Sequence, residues 1–268
     1  MNSYRPFFGF TKEPFSTDLS LKDIMKTPEL LAVCSRFDYA LSVGGVGIIT
    51  GEIGSGKSTA VRFAQGLLHP SEFICLHVIA TSGGILELYR QIAAAIGIER
   101  LSTSKALMTS MIRTEIKNLV SAKKLKPVLI IDEASLLRLE VFAELHTLLQ
   151  FEQDAKPYLP LIIVGQASII DKLSYRTSAA LASRVITRCH LEGLNLQDMH
   201  LYLAHHTQIA GIKTNLFDET AVVAIHQGSG GLLRKANHLA RGSLIAAAKE
   251  NSQIVMADHV RLAATEIL

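Results

Sequence analysis

Gly51-Glu52-Ile53-Gly54-Ser55-Gly56-Lys57-Ser58 is a complete match to G-x-x-x-x-G-K-[ST], the phosphate-binding loop. At average glycine usage of about 7%, such a match arises by chance in on the order of one per cent of chains this long. The context agrees with the motif. The apolar run Val46-Gly47-Ile48-Ile49-Thr50 before it suits a buried strand, and Thr59 to Leu68 after it has helical spacing. Glycines let backbone N–H groups turn inward around phosphate oxygens with no Cβ in the way. The N-terminus of that helix adds positive potential at the same place. Lys57 would reach the β- and γ-phosphates, and the Ser58 hydroxyl would ligate Mg2+. The alternative is a glycine-rich turn between strand and helix.

A second strand-like run reinforces the first reading. Val128-Leu129-Ile130-Ile131 ends in Asp132-Glu133. At the tip of a parallel strand, Asp132 would hold Mg2+, directly or through water, and Glu133 would polarise an attacking water as general base. The alternative is that Asp132 caps the next helix. Further runs, Phe73 to Ala80, Leu159 to Gly165 and Val185 to Leu191, also read as strands. Segments of helical period separate them: 85–96, 104–122 with Leu107, Met111, Ile112, Ile116 and Leu119 inward, and 136–150. This alternation implies a doubly wound parallel α/β sheet, expected to have five strands. A helix precedes it from Pro28, with Leu30, Leu31, Val33, Phe37, Ala40 and Leu41 as the inward face.

Two regions flank this core. The arm 1–28 carries Tyr4, Phe7-Phe8-Gly9-Phe10 and Pro14-Phe15, rings that would anchor it on a domain or cover an adenine. From Asn195 the strand signal stops and four helical patterns follow, 198–210, 218–227, 232–249 and 257–267. The expected layout is an arm over 1–28, an α/β nucleotide-binding domain over 29–193 and a small all-helical lid over 194–268.

Composition sets the outer limits. The 268 residues are 49% hydrophobic and 19% charged, with a formal charge of +3. That balance suits a folded protein and permits nucleic-acid binding without demanding it. Cys34, Cys75 and Cys189 match no zinc or C-x-x-C spacing, which points to reduced thiols in a cytoplasmic protein, with Cys75 and Cys189 in the core. No signal peptide and no run of about 18 apolar residues is visible, so no membrane span is expected.

Three more polar residues stand at positions of interest. Gln166 follows a strand tip, where its amide would meet the γ-phosphate or the water, or cap the helix 168–173. Arg184 lies between a helix and a strand on a domain edge, where it would reach a neighbouring subunit's nucleotide or form a surface salt bridge. Arg234 lies one turn into a lid helix that starts at glycines, where it would turn toward the γ-phosphate or stay in solvent. The densest basic stretch, Lys105, Arg113, Lys117, Lys123, Lys124 and Lys126, would contact a DNA backbone or be a solvated helix face.

These residues together resemble the AAA+ ATPases, and within them the general-secretion ATPases of the ExeA/GspA type and transposition regulators of the MuB and TnsC type. The resemblance covers nearly the whole chain. It rests on Tyr4 with Phe7-Phe8-Gly9-Phe10 and Pro14-Phe15, the phosphate loop, Leu129 to Glu133, Val164-Gly165-Gln166, Ala182-Ser183-Arg184-Val185 and the lid motif ending in Arg234. It implies a P-loop AAA+ core followed by a helical lid, and Mg2+-dependent ATP hydrolysis at a site running from Gly51 to Thr59. Gln166 looks like sensor 1, Arg184 like the arginine finger and Arg234 like sensor 2. The family's lid pattern is G-x-P-R, and Leu233 here replaces its proline. The secretion-type relatives continue past the lid into a membrane helix, whereas this sequence ends at Leu268, which resembles the stand-alone form. That implies a homo-oligomer, ring or helical filament, on duplex DNA, with a transposase as partner and no membrane. The competing expectation is a secretion-associated assembly ATPase acting on protein.

Overall fold

The computed structural model describes residues 4–267. In chain order the elements are α1 (Tyr4–Phe8), α2 (Pro28–Val43), β1 (Val46–Gly51), α3 (Lys57–Gly66), β2 (Phe73–Ile79), α4 (Ile85–Ile96), α5 (Lys105–Ser121), β3 (Lys126–Asp132), α6 (Leu139–Leu149), β4 (Leu161–Gly165), α7 (Ser168–Ser174), α8 (Ala179–Ala182), β5 (Val185–Leu191), α9 (Leu196–Ile209), α10 (Glu219–Ser229), α11 (Leu233–Lys249) and α12 (Ala257–Ile267). They gather into two compact units. One comprises Pro28–Gly51 and Lys57–Leu191. The other gathers the segment up to Thr27, Glu52–Gly56 and the segment from Glu192 onward.

The first unit is built on a five-stranded sheet of order β2-β3-β4-β1-β5. Every pairing is parallel. The three central strands are uninterrupted apolar runs because helices cover both of their faces. Val128 to Ile131 and Leu161 to Val164 are fully buried. The outer strands, β2 and β5, alternate instead. This explains Cys75 and Cys189, which are half-buried on those outer strands rather than in the core. Burial pushes the thiols of Cys34, Cys75 and Cys189 up.

Three local expectations are corrected. On α5 the inward stripe is Met108, Ile112, Ile116 and Leu119, while Leu107 is exposed. The spacing of four from Met108 through Ile112 to Ile116 puts Leu107 about 100° off that stripe. On α2, Leu31 is exposed beside the buried Leu30 and Val33 for the same reason. The helix expected over 136–150 begins only at Leu139. A short 3-10 turn, Ala134–Leu136, precedes it, and Leu137 and Arg138 are extended.

The second unit is helical and takes the arm into its own core. Phe8, Phe10 and Phe15 are buried among Met199, Leu203, Phe217 and Leu244. Phe15 is fully buried, stacks on His206 at 5.1 Å and meets the edge of Phe217 at 6.0 Å. Its carbonyl accepts a hydrogen bond from Arg241 Nη2 at 2.7 Å. Arg241 also pairs with Glu13, to which the Tyr4 hydroxyl donates. The rings of the arm therefore serve as packing for the helices of this unit. Asn195 and Asp218 start α9 and α10 by accepting the N–H of Asp198 and Ala221.

Candidate nucleotide site

Ligands of open parallel sheets bind outside the carboxyl ends of the strands. Register shows which residues meet there. Thr50 pairs with Gly165, and Ile131 pairs with Ile163. The residues that follow, Gly51 on β1, Gln166 after β4 and Asp132 and Glu133 at the end of β3, thus emerge at one edge of the sheet.

At that edge the first unit holds Lys57, Ser58 and the acid pair. Lys57 is buried, and its Nζ donates to the Gly51 carbonyl at 3.0 Å. The Ser58 hydroxyl donates to Asp132 Oδ2 at 3.0 Å, and Asp132 Oδ1 accepts the Glu133 N–H at 2.8 Å. Asp132 is thus engaged by Ser58 rather than acting as a helix cap. Glu133 is exposed and in the left-handed region, φ 52° and ψ 30°, with no capping bond from its side chain. Non-glycine residues held there cost free energy and concentrate at functional sites. The backbone carbonyl of Gln166 accepts the Ile169 N–H at 3.1 Å, so it is the main chain that starts α7.

The second unit holds the middle of the phosphate loop and helix α11. Gly54 and Gly56 have φ of +87° and +97°, which side chains disfavour. The Arg234 N–H donates to the Gly54 carbonyl at 3.1 Å. A Cβ on Gly54 would stand 2.9 Å from Arg234 Cβ, and one on Gly56 2.8 Å from Leu233 Cδ1. Leu233, in the place of the family's proline, therefore packs on the loop's last glycine, and the Arg234 side chain is exposed.

The donor set suits a phosphate and a hard cation. The Ser55 hydroxyl is buried with no hydrogen-bond partner inside the turn of the loop. Ser58 Oγ and the Asp132 carboxylate are adjacent oxygens of the kind Mg2+ prefers. Among the described residues no group of three or more His, Cys, Asp or Glu is placed to hold another metal.

Arg184 lies elsewhere. Its carbonyl accepts the Val46 N–H, and Val46 pairs with Val185, so Arg184 is at the opposite end of the strands from Gly51. Six residues of β1 separate those ends by about 17 Å. Its Nη2 pairs with Asp154 at 2.5 Å, and its Nη1 donates to the Ala180 carbonyl at 2.8 Å.

The basic stretch is largely answered within the chain. Lys105 pairs with Glu144 at 2.7 Å, Lys123 with Glu115 at 3.7 Å and Lys126 with Glu72 at 2.5 Å. Arg113 lies over the Phe151 ring at 5.4 Å. Lys117 and Lys124 are exposed in the same stretch. Two polar contacts near the site had no signal in the sequence. One is Thr50 Oγ1 with His190 Nδ1 at 2.9 Å, and the other is Lys172 on the turn after Glu133.

Residues 41–173 match the family model described as AAA domain. The chain is an AAA+ protein. It is 31% identical over 271 residues to General secretion pathway protein A of Aeromonas hydrophila, an alignment covering 98% of this chain and 48% of that protein. The chain thus spans about half the length of that curated relative. Among solved structures it is similar to Cdc6p from Pyrobaculum aerophilum, at TM-score 0.73 and 17% identity over 95% of this chain and 70% of that one. It is also similar to the Aeropyrum pernix ORC1 protein in complex with DNA, at TM-score 0.68 and 16% identity over 94% and 68%. The Thermotoga maritima RuvB branch-migration motor follows, at 0.56 and 18% over 98% and 73%. These likenesses are of the P-loop ATPase fold. Among the described residues no helix of this AAA+ chain is long and apolar enough to cross a membrane.

Proposed function

We propose that this AAA+ chain is a Mg2+-dependent ATPase whose nucleotide state governs its self-assembly. The observation that carries the reading is the Ser58–Asp132 hydrogen bond, with an unpartnered, exposed Glu133 next in the chain. ATP would lie with its phosphates on the N–H groups of residues 51–59 and on Lys57. Ser58 and Asp132 would hold Mg2+, which supplies neutralisation of phosphate charge. Glu133 takes a proton from water as that water attacks the γ-phosphorus. The bond from the γ-phosphorus to the bridging oxygen breaks, leaving ADP and phosphate. Gln166 would orient the water.

Arg184 is about a strand's length from Gly51 of its own unit, which supports a role in a neighbouring subunit's site. Arg234, whose N–H already meets Gly54, supplies a second cation from the lid. The arrangement expected is an arm, the α/β domain and a lid, with assembly as a ring or filament. The substrate of that assembly is read as duplex DNA, in the regulation of transposition through a transposase. Support comes from the net positive charge and from DNA-bound relatives of the same fold. Contacts to the DNA backbone would fall to lysines such as Lys117 and Lys124, which pair with no acid among the described residues.

A second reading is favoured by the identity to General secretion pathway protein A, namely an assembly factor acting on protein. Electron microscopy with a slowly hydrolysed ATP analogue, with and without duplex DNA, separates the two. Rings or filaments that need DNA support the transposition reading. Nucleotide-driven assembly indifferent to DNA favours the protein-directed one. A chain that stays monomeric with both ligands removes the assembly switch.

A further inference from the structure

Glu133 is held in an unfavourable backbone conformation, and something must hold it. The turn after it, Ala134–Leu136, has its own internal bonds, from Leu136 N to the Glu133 carbonyl at 2.9 Å and from Leu137 N to the Ala134 carbonyl at 3.1 Å. Those bonds shape the turn but do not fix it to the sheet. Two outside contacts do. Gly165, at the tip of β4, comes so close that a Cβ there would stand 3.0 Å from Ser135 N and 3.2 Å from Ser135 Oγ. On the other side, Lys172 of α7 donates from Nζ to the Ser135 carbonyl at 2.5 Å and to the Leu137 carbonyl at 2.7 Å.

This lysine is unusual in what it faces. Its ammonium is 5.9 Å from the Phe142 ring centre, and among the described residues no carboxylate pairs with it. Burial pushes its ammonium down from the usual lysine range. A lysine serving only solubility would stay in water. Here a costly partly buried charge is turned onto two main-chain carbonyls flanking one turn, at charge-assisted hydrogen-bond distances.

We propose that Lys172 is a positioning residue for hydrolysis: by clamping the Ser135 and Leu137 carbonyls it holds the turn that sets the direction of the Glu133 carboxylate. It touches neither nucleotide nor water. α7 begins two residues after Gln166, the residue read as sensing the γ-phosphate at the tip of β4, so Lys172 ties the two strand tips together. The inference rests on the ATPase reading of Glu133, and its test has a readout that does not.

The experiment compares Lys172→Met, Lys172→Arg and Glu133→Gln, singly and as Lys172→Met/Glu133→Gln, with ATP and with and without duplex DNA. Displacing a catalytic group by about 1 Å costs on the order of 10²-fold in rate. Lys172→Met is therefore expected to lower kcat by about that factor, with ATP affinity within about twofold of wild type. Lys172→Arg, which keeps donors, recovers most of it. In the Glu133→Gln background the Met substitution adds little, because two residues acting through one step are non-additive. Hydrogen exchange supplies the independent readout. In Lys172→Met the amides of residues 134–137 exchange faster while those of β3 do not, a pattern Glu133→Gln lacks. Unchanged exchange at 134–137 overturns the clamp whatever the turnover. Full additivity with Glu133→Gln, or equal losses in binding and kcat, overturns the positioning role. A wild type that binds ATP but never hydrolyses it removes the ATPase reading and leaves the clamp to the exchange result.

Discussion

The two units use their polar groups in opposite ways. In the sheet unit the residues of the candidate site gather at the carboxyl edge, where Glu133 is exposed and, among the described residues, its side chain makes no hydrogen bond or ion pair. In the helical unit polar groups are taken inside and made to pack. Tyr202 donates to Asn237 at 2.8 Å, both buried, and His206 is 2% exposed between Phe15 and Tyr202. A sheet buries its strands through continuous apolar runs and leaves chemistry to the tips. A small helical unit has less apolar surface to hide and must draw on a terminal arm and on neutral polar rings. Substitutions at the strand tips should therefore alter rate with little change in stability, and substitutions in the helical core the reverse.

The largest expected effects test the first half of that contrast. Glu133→Gln should lower kcat by about 10² to 10⁴, the span of general-base contributions, while ATP still binds. Lys57→Ala should abolish nucleotide binding measured by fluorescence titration. A thermal midpoint for Glu133→Gln well below wild type would break the comparison, since it would make a strand-tip acid structural. Next comes Arg184→Ala. A trans-acting arginine is worth about 10³ to 10⁵ in well-studied phosphoryl transfer. Turnover should fall by at least about tenfold at concentrations where the protein assembles. Mixing it with Glu133→Gln subunits should restore part of the rate, because each supplies what the other lacks. No recovery at any mixing ratio counts against action across a subunit boundary.

How much of this was legible follows from the same contrast. Strand runs are continuous and the phosphate loop is contiguous, so β1, β3, Lys57, Ser58, Asp132 and Glu133 could be read directly. Helical faces were less legible. Leu107 and Met108 are adjacent and equally apolar, and only packing decides which points inward. The break at Leu137 and Arg138 carries no glycine or proline to mark it. Lys172 was invisible because its partners are main-chain carbonyls, which carry no residue identity. Asp154, the partner of Arg184, lies in a run of three left-handed residues, Glu152, Gln153 and Asp154, that also lacks glycine. The arm's rings were readable as anchors, but their fit to the lid helices depends on shape rather than on pattern.

The helical half of the comparison is tested by pH. Burial, then the neighbouring His205, pushes the His206 pKa down to about 3 from its usual 6.5. Its Nδ1 is buried with no partner. The folded state therefore binds the proton more weakly than the unfolded chain does. Stability is full above about pH 6.5 and is lost as pH falls toward about 3. At pH 5 the loss from this one group is about 2 kcal/mol. His206→Phe keeps an aromatic ring and should flatten the fall in thermal midpoint between pH 7 and pH 5. Should the substitution leave that slope unchanged, His206 is not the group that titrates. The rate contributed by Glu133 should be untouched at pH 7.

The smallest effect belongs to Asp154. Its ion pair with Arg184 joins a mostly buried guanidinium to a carboxylate whose side chain is 53% exposed. Pairs of that exposure contribute about 0 to 1 kcal/mol, and salt screens them. Asp154→Asn should thus shift the thermal midpoint by no more than a few degrees. Its effect on turnover is the informative one. If Arg184 acts on a neighbour's phosphate, it must give up Asp154 to do so, and removing that partner lowers the cost of the exchange. Assembled protein should then turn over the same as wild type or up to a few times faster, with the difference shrinking at high salt. A clear loss of rate would mean that Asp154 aims the arginine instead of detaining it. The end of the sheet that carries Arg184 would then be preorganised for chemistry in the same sense as the end that carries Glu133.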